Sequence, residues 1–134
     1  YKCGTGHGVG HILSVHEAPN GFRWQIVKER NDSAPLLPGM ITTDEPGIYL
    51  EGKLGIRIEN ELLCKEVETN EWGTFYGFET ITYAPIDIDL IDANLLTQDE
   101  KHWLNDYHKM VFENLSPYLD DDTKKWLKKY TKAI

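Results

Sequence analysis

The sequence predicts an α+β fold in which antiparallel strands come first and helices come last. Residues 56–63 and 78–83 alternate with the period of two that is typical of strands. After residue 97, apolar and aromatic side chains recur instead at helical spacing. The character of the chain changes at Pro85, so we expect a strand-forming part over 1–84 and a helical part over 85–134.

The first segments of the strand-forming part carry mixed signals. Gly4–Gly10 contains four glycines and favours a loop or tight turn. Phe22–Val27 has the composition of a strand, and Pro35–Gly39 predicts a turn. Met40–Thr43 is a β-branched run that leads to Glu45, with Pro46 and Gly47 marking a bulge or a strand end.

Two hairpins are expected in the rest of this part. Glu45 and Glu59 are equidistant from Gly52, so a hairpin centred there places the two carboxylates opposite each other. Cross-strand neighbours have Cβ atoms about 5 Å apart. Carboxylates that close repel unless a positive group lies between them, and one or two divalent metal ions are the natural candidates. A second hairpin is predicted from Cys64 to Tyr83, with its turn near Asn70–Gly73.

Capping and charge patterns predict two helices in the last part. Thr97–Glu100 forms a capping box, and Ser116–Pro117 ends the helix that follows. Asp120–Asp122 begins a second helix whose lysines come late, which suits the helix dipole. The aromatic residues at helical spacing are predicted to lie in the core: Trp103, Tyr107, Trp126 and Tyr130.

Composition excludes some functional classes. The formal net charge of −8 argues against a nucleic-acid partner, and no apolar run is long enough for a transmembrane helix. Cys3 and Cys64 have no metal-ligand spacing and are expected to be free thiols in a reducing compartment. The chain opens at Tyr1 without a signal-peptide pattern, so we expect a C-terminal fragment of a longer protein.

Few side chains carry a chemical signal of their own. His7 lies within the glycine segment, where the backbone could approach a metal or substrate, but it could equally be an ordinary loop histidine. His7 and His11 have the spacing of a zinc pair on a helix, which Gly8 and Gly10 disfavour. The His16-Glu17 pair fails as a zinc-protease motif because Pro19 interrupts the helix that the motif needs.

Arg57 and the acidic residues around it also allow two interpretations. Arg57 precedes Glu59 by two residues on one strand face, so it can orient a carboxylate or form an ordinary salt bridge. Glu61 is expected to be a solvated rim charge. Taken alone, Glu45 and Glu59 could also be solvated hairpin charges.

Taken together, four ordered segments resemble the pita-bread metallopeptidases, which include methionine aminopeptidase, prolidase, creatinase and aminopeptidase P. These segments are Gly4–Gly10, Val15–Pro19, Thr43–Tyr49 and Gly55–Asn60. The later segments Gly77–Asp87, Leu90–Thr97, Trp103–His108 and Leu115–Leu119 are similar to the C-terminal extension of the long aminopeptidase P type. The resemblance implies the C-terminal half of a pita-bread catalytic domain, with a curved antiparallel sheet, followed by a helical extension over 85–134.

The resemblance implies a role for each matching residue. His7 matches a metal ligand that also lies next to substrate, and Glu45 matches a glutamate that binds metal and acts as general base. Glu59 matches the glutamate that bridges two metals. His16 matches a non-ligand histidine that contacts substrate and stabilises the transition state, and Arg57 matches an arginine that orients the site.

A function follows from the resemblance as an expectation. It implies a cytoplasmic, homodimeric Xaa-Pro aminopeptidase that removes an N-terminal residue preceding proline, with two divalent ions, usually Mn2+. Oxygen-rich ligation suits manganese. The family site also needs two aspartates and a histidine that precede these motifs, so the fragment alone is expected to be inactive and to bind metal poorly. Removing part of the sheet is also expected to expose an edge and apolar surface, and so to favour self-association.

Three points keep alternatives open. Cys3 stands where many relatives of this type carry a histidine, which puts one outer contact near the substrate in question. A non-catalytic pita-bread domain that binds peptides or proteins is one rival reading, although such relatives usually lose metal ligands. Prolidase, which acts on Xaa-Pro dipeptides, is the second rival, although its C-terminus lacks the helical extension.

Overall fold

The computed structural model describes residues 3–12 and 14–134, so the fragment expectation at Tyr1 lies outside the described residues. The order of elements is the predicted one, with strands first and helices last. The chain divides into two compact units, Tyr1–Thr82 and Tyr83–Ile134.

Unit 1 is built on antiparallel sheets. The strands are β1 Gly6–Gly8, β2 Glu17–Phe22, β3 Ile41–Asp44, β4 Gly47–Leu50, β5 Leu54–Arg57, β6 Asn60–Asn70 and β7 Gly73–Thr80. Within the described residues, a five-stranded sheet has the order β2-β1-β3-β6-β7, and β4 and β5 form a separate two-stranded sheet. A short 3-10 helix covers Lys28–Arg30. The turn predicted over Pro35–Gly39 is present at Pro38 and Gly39.

Two predictions for the start of unit 1 are wrong. The glycine segment Gly4–Gly10 is not wholly a loop, because it contains β1, which pairs with β2 on one side and β3 on the other. The strand expected over Phe22–Val27 lies earlier, at β2, and ends at Phe22. Side-chain composition misplaced it because a strand exists only where a neighbouring strand takes up its hydrogen bonds.

Both predicted hairpins form. The register of β4 and β5 pairs Ile48 with Ile56 and Leu50 with Leu54, so the hairpin is centred on Gly52, which has φ +69. In the second hairpin, β6 and β7 pair Asn70 with Gly73, as predicted. The single strand expected over Ile56–Leu63 is interrupted, because Ile58 and Glu59 lie between β5 and β6.

The interruption places Glu45 and Glu59 between two ladders. β3 pairs with β6 through Asp44 and Asn60, in the same register as the pairing of Gly47 with Arg57 farther along the hairpin. Glu45 and Glu59 therefore lie at matching heights, just outside both ladders. Neither residue is paired with a neighbouring strand in the described part of the chain, because both lie where the chain passes from one sheet to the other.

Unit 2 contains the predicted helices α1, Gln98–Leu115, and α2, Asp121–Tyr130. The capping box at Thr97 and Glu100 is present, and Asp120 caps α2. Short 3-10 turns cover Ile88–Leu90 and Ser116–Tyr118. In the part of the chain that the structure describes, none of the helices is both long and apolar enough to cross a bilayer.

The core of unit 2 is smaller than the aromatic pattern predicted. Tyr107, Val111 and Leu127 are buried together, whereas Trp103 and Trp126 are 54% and 52% exposed. Trp103 stacks on Tyr107, with ring planes 5° apart, and Trp126 lies against Tyr130. The prediction of core tryptophans is wrong because each helix buries only one narrow stripe of side chains, and these indoles lie beside it.

Candidate functional site

His7 is held at the centre of the strands β2, β1 and β3. Its backbone N–H donates to Thr43 Oγ1 at 3.0 Å, and Thr42 Oγ1 donates to the His7 carbonyl at 3.3 Å. A Cβ at Gly6 would collide with the Thr43 carbonyl, and one at Gly8 with the Glu17 carbonyl. The glycines around His7 therefore let strands approach one another, which differs from the close approach to a metal or substrate expected from the sequence.

Glu45 follows β3 and is brought to His7 by the same strand pairing. Its backbone N–H donates to the Thr5 carbonyl at 2.6 Å. The carboxylate atom Oε1 then lies 3.0 Å from His7 Nε2, and both side chains are largely buried, at 9% and 18% exposure. Thr43 Oγ1 donates to the same oxygen at 3.4 Å, so one threonine positions both residues.

The tautomer of His7 makes this contact informative. His7 Nδ1 lies 3.0 Å from the Gly8 carbonyl, and since a carbonyl only accepts, Nδ1 carries the proton in that bond. In a neutral ring, Nε2 then points a lone pair at a carboxylate oxygen. Two acceptors at that distance need a proton or a metal ion to hold them together.

Arg57 joins Glu45 to Glu59. Its Nε lies 3.7 Å from Glu45 Oε2 and 3.3 Å from Glu59 Oε2. The guanidinium also donates through Nη1 to the Tyr49 hydroxyl at 3.4 Å. That hydrogen bond to Tyr49, together with the nearby charges of Tyr49, Glu59 and Glu45, raises the pKa of Arg57 above its ordinary value.

Tyr49 was not singled out from the sequence, yet the hairpin register explains its place beside Arg57. Tyr49 is paired with Gly55, and Gly47 with Arg57, which puts all four residues on one face of the hairpin. A Cβ at Gly47 would lie 2.6 Å from the Tyr49 hydroxyl oxygen, and one at Gly55 would lie 3.0 Å from the ring. The two glycines leave the space in which the ring lies across the hairpin toward Arg57.

His16 reaches the same place from the other side. The chain turns at residues 11–12 and returns as β2, which brings the His16 ring centroid to 4.2 Å from that of His7. His7 and His16 are nine residues apart, an odd spacing that would place them on opposite faces of a straight strand, so this turn is what brings the two rings together. One possible ligand atom from each of His7, His16 and Glu45 lies within 4.8 Å of the others, while His16 itself is exposed.

The structure therefore places the predicted residues in two neighbouring groups. His7, His16 and Glu45 form one cluster, and Arg57 connects that cluster to Glu59, whose side chain is 38% exposed. Glu61 is outside the cluster and pairs with Thr43 across β3 and β6. His11 lies exposed in the turn.

The donor set fits a hard or borderline divalent ion. Imidazole nitrogen and carboxylate oxygen are ligands that manganese and zinc accept. Two donors at about 2.1 Å from one ion, at the about 90° angles of octahedral coordination, are about 3.0 Å apart, which matches the separation of His7 Nε2 and Glu45 Oε1.

Two protein-family models match the chain. One, described as metallopeptidase family M24, matches residues 1–66. The other, described as the C-terminal region of peptidase M24, matches residues 74–134. Their order follows the order of the two units.

Relatives in fungi match almost the entire chain. The chain is 48% identical over 139 residues to a probable Xaa-Pro aminopeptidase P of Coprinopsis cinerea, covering 100% of this chain and 22% of that protein. It is 47% identical over 136 residues to a probable Xaa-Pro aminopeptidase P of Leptosphaeria maculans, covering 98% and 22%. The chain thus spans about a fifth of the length of these relatives.

A solved structure has the same fold. The crystal structure of X-prolyl aminopeptidase from Caenorhabditis elegans, described as a cytosolic enzyme with a di-nuclear active site, superposes with a TM-score of 0.80 at 37% identity. The match covers 98% of this chain and 21% of that one. The predicted fold, part of the pita-bread architecture with an antiparallel sheet followed by helices, is confirmed by this likeness.

Proposed function

Because the chain belongs to metallopeptidase family M24, we propose that it is the C-terminal part of a Xaa-Pro aminopeptidase. Such an enzyme hydrolyses the peptide bond between an N-terminal residue and a following proline. The relatives that share 45–48% of its residues are named for this activity. The proposal includes two divalent ions, with manganese as the physiological pair.

The contact between His7 Nε2 and Glu45 Oε1 carries the proposal. His7 Nε2 and Glu45 Oε1 lie 3.0 Å apart in a largely buried place. Since the Nδ1 proton is directed to the Gly8 carbonyl, a second ring proton or a metal ion has to lie between them, and we assign a metal ion. We assign His7, Glu45 and Glu59 as metal ligands. Two divalent ions held by these residues would supply Lewis acidity.

The other side chains have separate roles in the proposal. Glu45 acts as the general base, because its second oxygen, Oε2, does not contact His7 and so keeps a lone pair that can accept a proton. Arg57 orients both glutamates. His16 is exposed beside His7, so its ring can donate to a substrate carbonyl, and His7 contacts the substrate on the same side.

The remaining parts of the proposal concern the whole protein. We infer that residues 1–84 belong to the catalytic domain and residues 85–134 to its helical extension. We also infer a cytoplasmic homodimer, in line with the description of the Caenorhabditis elegans enzyme as cytosolic. The chain alone is expected to be inactive, because it spans about a fifth of its relatives and supplies only part of a two-metal ligand set.

The test uses the complete enzyme of which, by this proposal, the chain is the C-terminal part. Glu45→Gln and Glu59→Gln are each expected to lower kcat/KM on a Xaa-Pro tripeptide by at least about 100-fold. Both variants should also lower the manganese content after dialysis, measured by mass spectrometry. Glu61→Gln, the same substitution two residues after Glu59, should leave both quantities within about twofold.

Three outcomes would contradict the proposal. Metal binding without cleavage of any Xaa-Pro peptide would favour a non-catalytic binding module. Cleavage confined to dipeptides would favour prolidase. Cleavage by the 134-residue chain alone would refute the expectation that its ligand set is incomplete.

A further inference from the structure

Unit 2 contains a cavity of about 310 Å³ that the proposed peptidase chemistry does not use. It is lined by Pro85, Ile86, Asp87, Asp89, Trp126 and Tyr130. All six residues belong to unit 2, so the cavity is independent of the histidine and glutamate cluster in unit 1. Its lining combines an apolar wall, two acidic residues and two aromatic rings.

The aromatic side of the cavity is suited to a cation. Trp126 and Tyr130 are one turn apart on α2, with ring centroids 5.1 Å apart, and Trp126 is 52% exposed. The Lys129 ammonium already lies 4.8 Å from the centroid of the Tyr130 ring. Indole and phenol rings attract cations to their faces, and the chain itself shows this at Tyr130.

The acidic side of the cavity is formed by Asp87 and Asp89, whose negative charges are not paired with a basic side chain among the described residues. Asp87 Oδ1 accepts the backbone N–H of Asp89 at 2.9 Å, which caps the 3-10 turn over Ile88–Leu90. Two carboxylates that form no ion pair, beside two aromatic rings, indicate that a complementary ligand is positively charged.

The wall that carries these aspartates is held in place by α1. The Ile86 N–H donates to His108 Nε2 at 3.1 Å, and the Tyr107 hydroxyl donates to the Ala84 carbonyl at 2.7 Å. Tyr107 and His108 are themselves buried. The cavity is therefore preformed, and a ligand does not have to order the segment that binds it.

We propose that this cavity binds the arginine side chain of a peptide segment from a partner protein. The three methylenes of arginine fit against Pro85 and Ile86, as long charged side chains do on apolar surface. The planar guanidinium stacks on Trp126 and donates to the carboxylates of Asp87 and Asp89. Lysine fits less well, because a compact ammonium neither stacks on a ring nor bonds two carboxylates in a fixed plane.

The experiment follows Trp126 in the full chain by 19F NMR after incorporation of 5-fluorotryptophan. The resonance of Trp126 is assigned by its loss in Trp126→Phe. The probe is the blocked tripeptide acetyl-Ala-Arg-Ala-amide, and the matched neutral probe replaces arginine with citrulline. We expect a saturable shift of the Trp126 resonance with the arginine peptide and at least a tenfold weaker response to the citrulline peptide.

Charge-neutral variants keep the fold and test the carboxylates. Asp87→Asn retains a capping side chain, and both Asp87→Asn and Asp89→Asn are expected to weaken binding at least fivefold. Asp92→Asn, which lies outside the lining of the cavity, is the control and should bind like the parent. The circular dichroism signal at 222 nm checks that the helices remain intact in every variant.

Several results would overturn the proposal. No shift, or equal shifts with arginine and citrulline peptides, would show that the cavity does not recognise a cation. Equal binding of a third probe, acetyl-Ala-Lys-Ala-amide, would remove the selectivity for a guanidinium. A Trp126 shift that follows protein concentration alone would assign the cavity to contact between copies of the chain.

Discussion

Arg57 is the side chain on which the geometry of both glutamates depends. It lies within 3.7 Å of Glu45 and 3.3 Å of Glu59, and the Tyr49 hydroxyl accepts one of its hydrogens. Because the Arg57 side chain is half exposed, a single ion pair formed by it contributes little to stability. A guanidinium held from three directions, however, fixes the orientation of two carboxylates that would otherwise repel each other.

Loss of Arg57 is therefore expected to affect function more than folding. In the complete enzyme, Arg57→Gln should lower kcat/KM on a Xaa-Pro tripeptide by about 10–100-fold, the usual effect of removing a residue that orients metal ligands. Tyr49→Phe should lower it by less, because it removes one of three contacts. Manganese titration by calorimetry should show weaker binding in the same order.

The control for these variants is Lys53→Gln, which removes an exposed positive charge in the turn between β4 and β5. It should leave kcat/KM and manganese affinity unchanged within about twofold. Equal losses in Arg57→Gln and Lys53→Gln would point to a general effect of charge. Unchanged activity in Arg57→Gln would remove the orienting role.

At the residue scale, the sequence predicts some contacts but not others. The proximity of Glu45 and Glu59 follows from their equal distance to Gly52. The partnership of Tyr49 and Arg57 could have been found from the same hairpin register, since it places both on the face that carries Gly47 and Gly55. The packing of His108 against Ile86 could not, because nothing local to α1 indicates which loop covers it.

At the scale of elements, the local signals were the most reliable. The hairpin turn at Asn70–Gly73 and the ends of α1 depend on turn residues and caps, and both were predicted. The strand at Gly6–Gly8 was missed, because three glycine-rich residues become a strand only between β2 and β3. Long-range pairing, which a local pattern does not contain, decides such elements.

The capping box of α1 should be measurable in stability. Thr97 Oγ1 accepts the Glu100 N–H, while Glu100 Oε2 accepts the Thr97 N–H at 2.8 Å. The bond from the Thr97 backbone, followed by the one from its side chain, lowers the pKa of Glu100 below its ordinary value. Thr97→Ala is expected to destabilise the helical unit by about 1 kcal/mol.

Urea unfolding followed at 222 nm measures this effect, because both α-helices of the described chain lie in unit 2. Thr97→Ser keeps a capping hydroxyl and should unfold like the parent. A loss in Thr97→Ser as large as that in Thr97→Ala would mean that the side-chain cap is not the cause.

Acid is expected to weaken unit 2 through His108. This side chain is fully buried, Nε2 accepts the Ile86 N–H, and Nδ1 has no hydrogen-bond partner among the described residues. Burial lowers the pKa of His108 below its ordinary value of 6.5. A lowered folded-state pKa means that the unfolded chain binds the proton first, so stability is full above about pH 6.5 and falls as the pH drops below it.

The free energy of unfolding of unit 2, followed at 222 nm from pH 7.5 to pH 5, should therefore decrease toward acid. In His108→Gln, where an amide oxygen can accept the same N–H, that slope should disappear even if the overall stability is lower. His102→Gln, on the exposed part of α1, should retain the slope. Acid-independent stability in the parent would show that His108 does not titrate differently on folding.

At the scale of the whole molecule, the described chain leaves much apolar surface uncovered. One face of the β4–β5 hairpin carries the cross-strand pairs of Ile48 with Ile56 and Leu50 with Leu54. These four side chains are between 48% and 65% exposed. Contiguous aliphatic patches of this kind mark surfaces that become covered by other protein, which agrees with the expectation from the sequence that apolar surface is exposed.

Self-association of the isolated chain is the outcome that this surface predicts. Burial of apolar area gains about 25 cal/mol per Å², so copies that cover each other's hairpin faces are favoured over monomers at high concentration. Multi-angle light scattering should give a mass that rises with concentration above 15.4 kDa.

The double variant Ile48→Lys/Ile56→Lys introduces two like charges at a cross-strand pair and should shift the chain toward monomer. Ile12→Lys replaces an isoleucine that is 91% exposed but outside the hairpin, and it should associate like the parent. If the parent is monomeric at every concentration, or if Ile12→Lys dissociates it equally well, the hairpin face is not the surface that drives association.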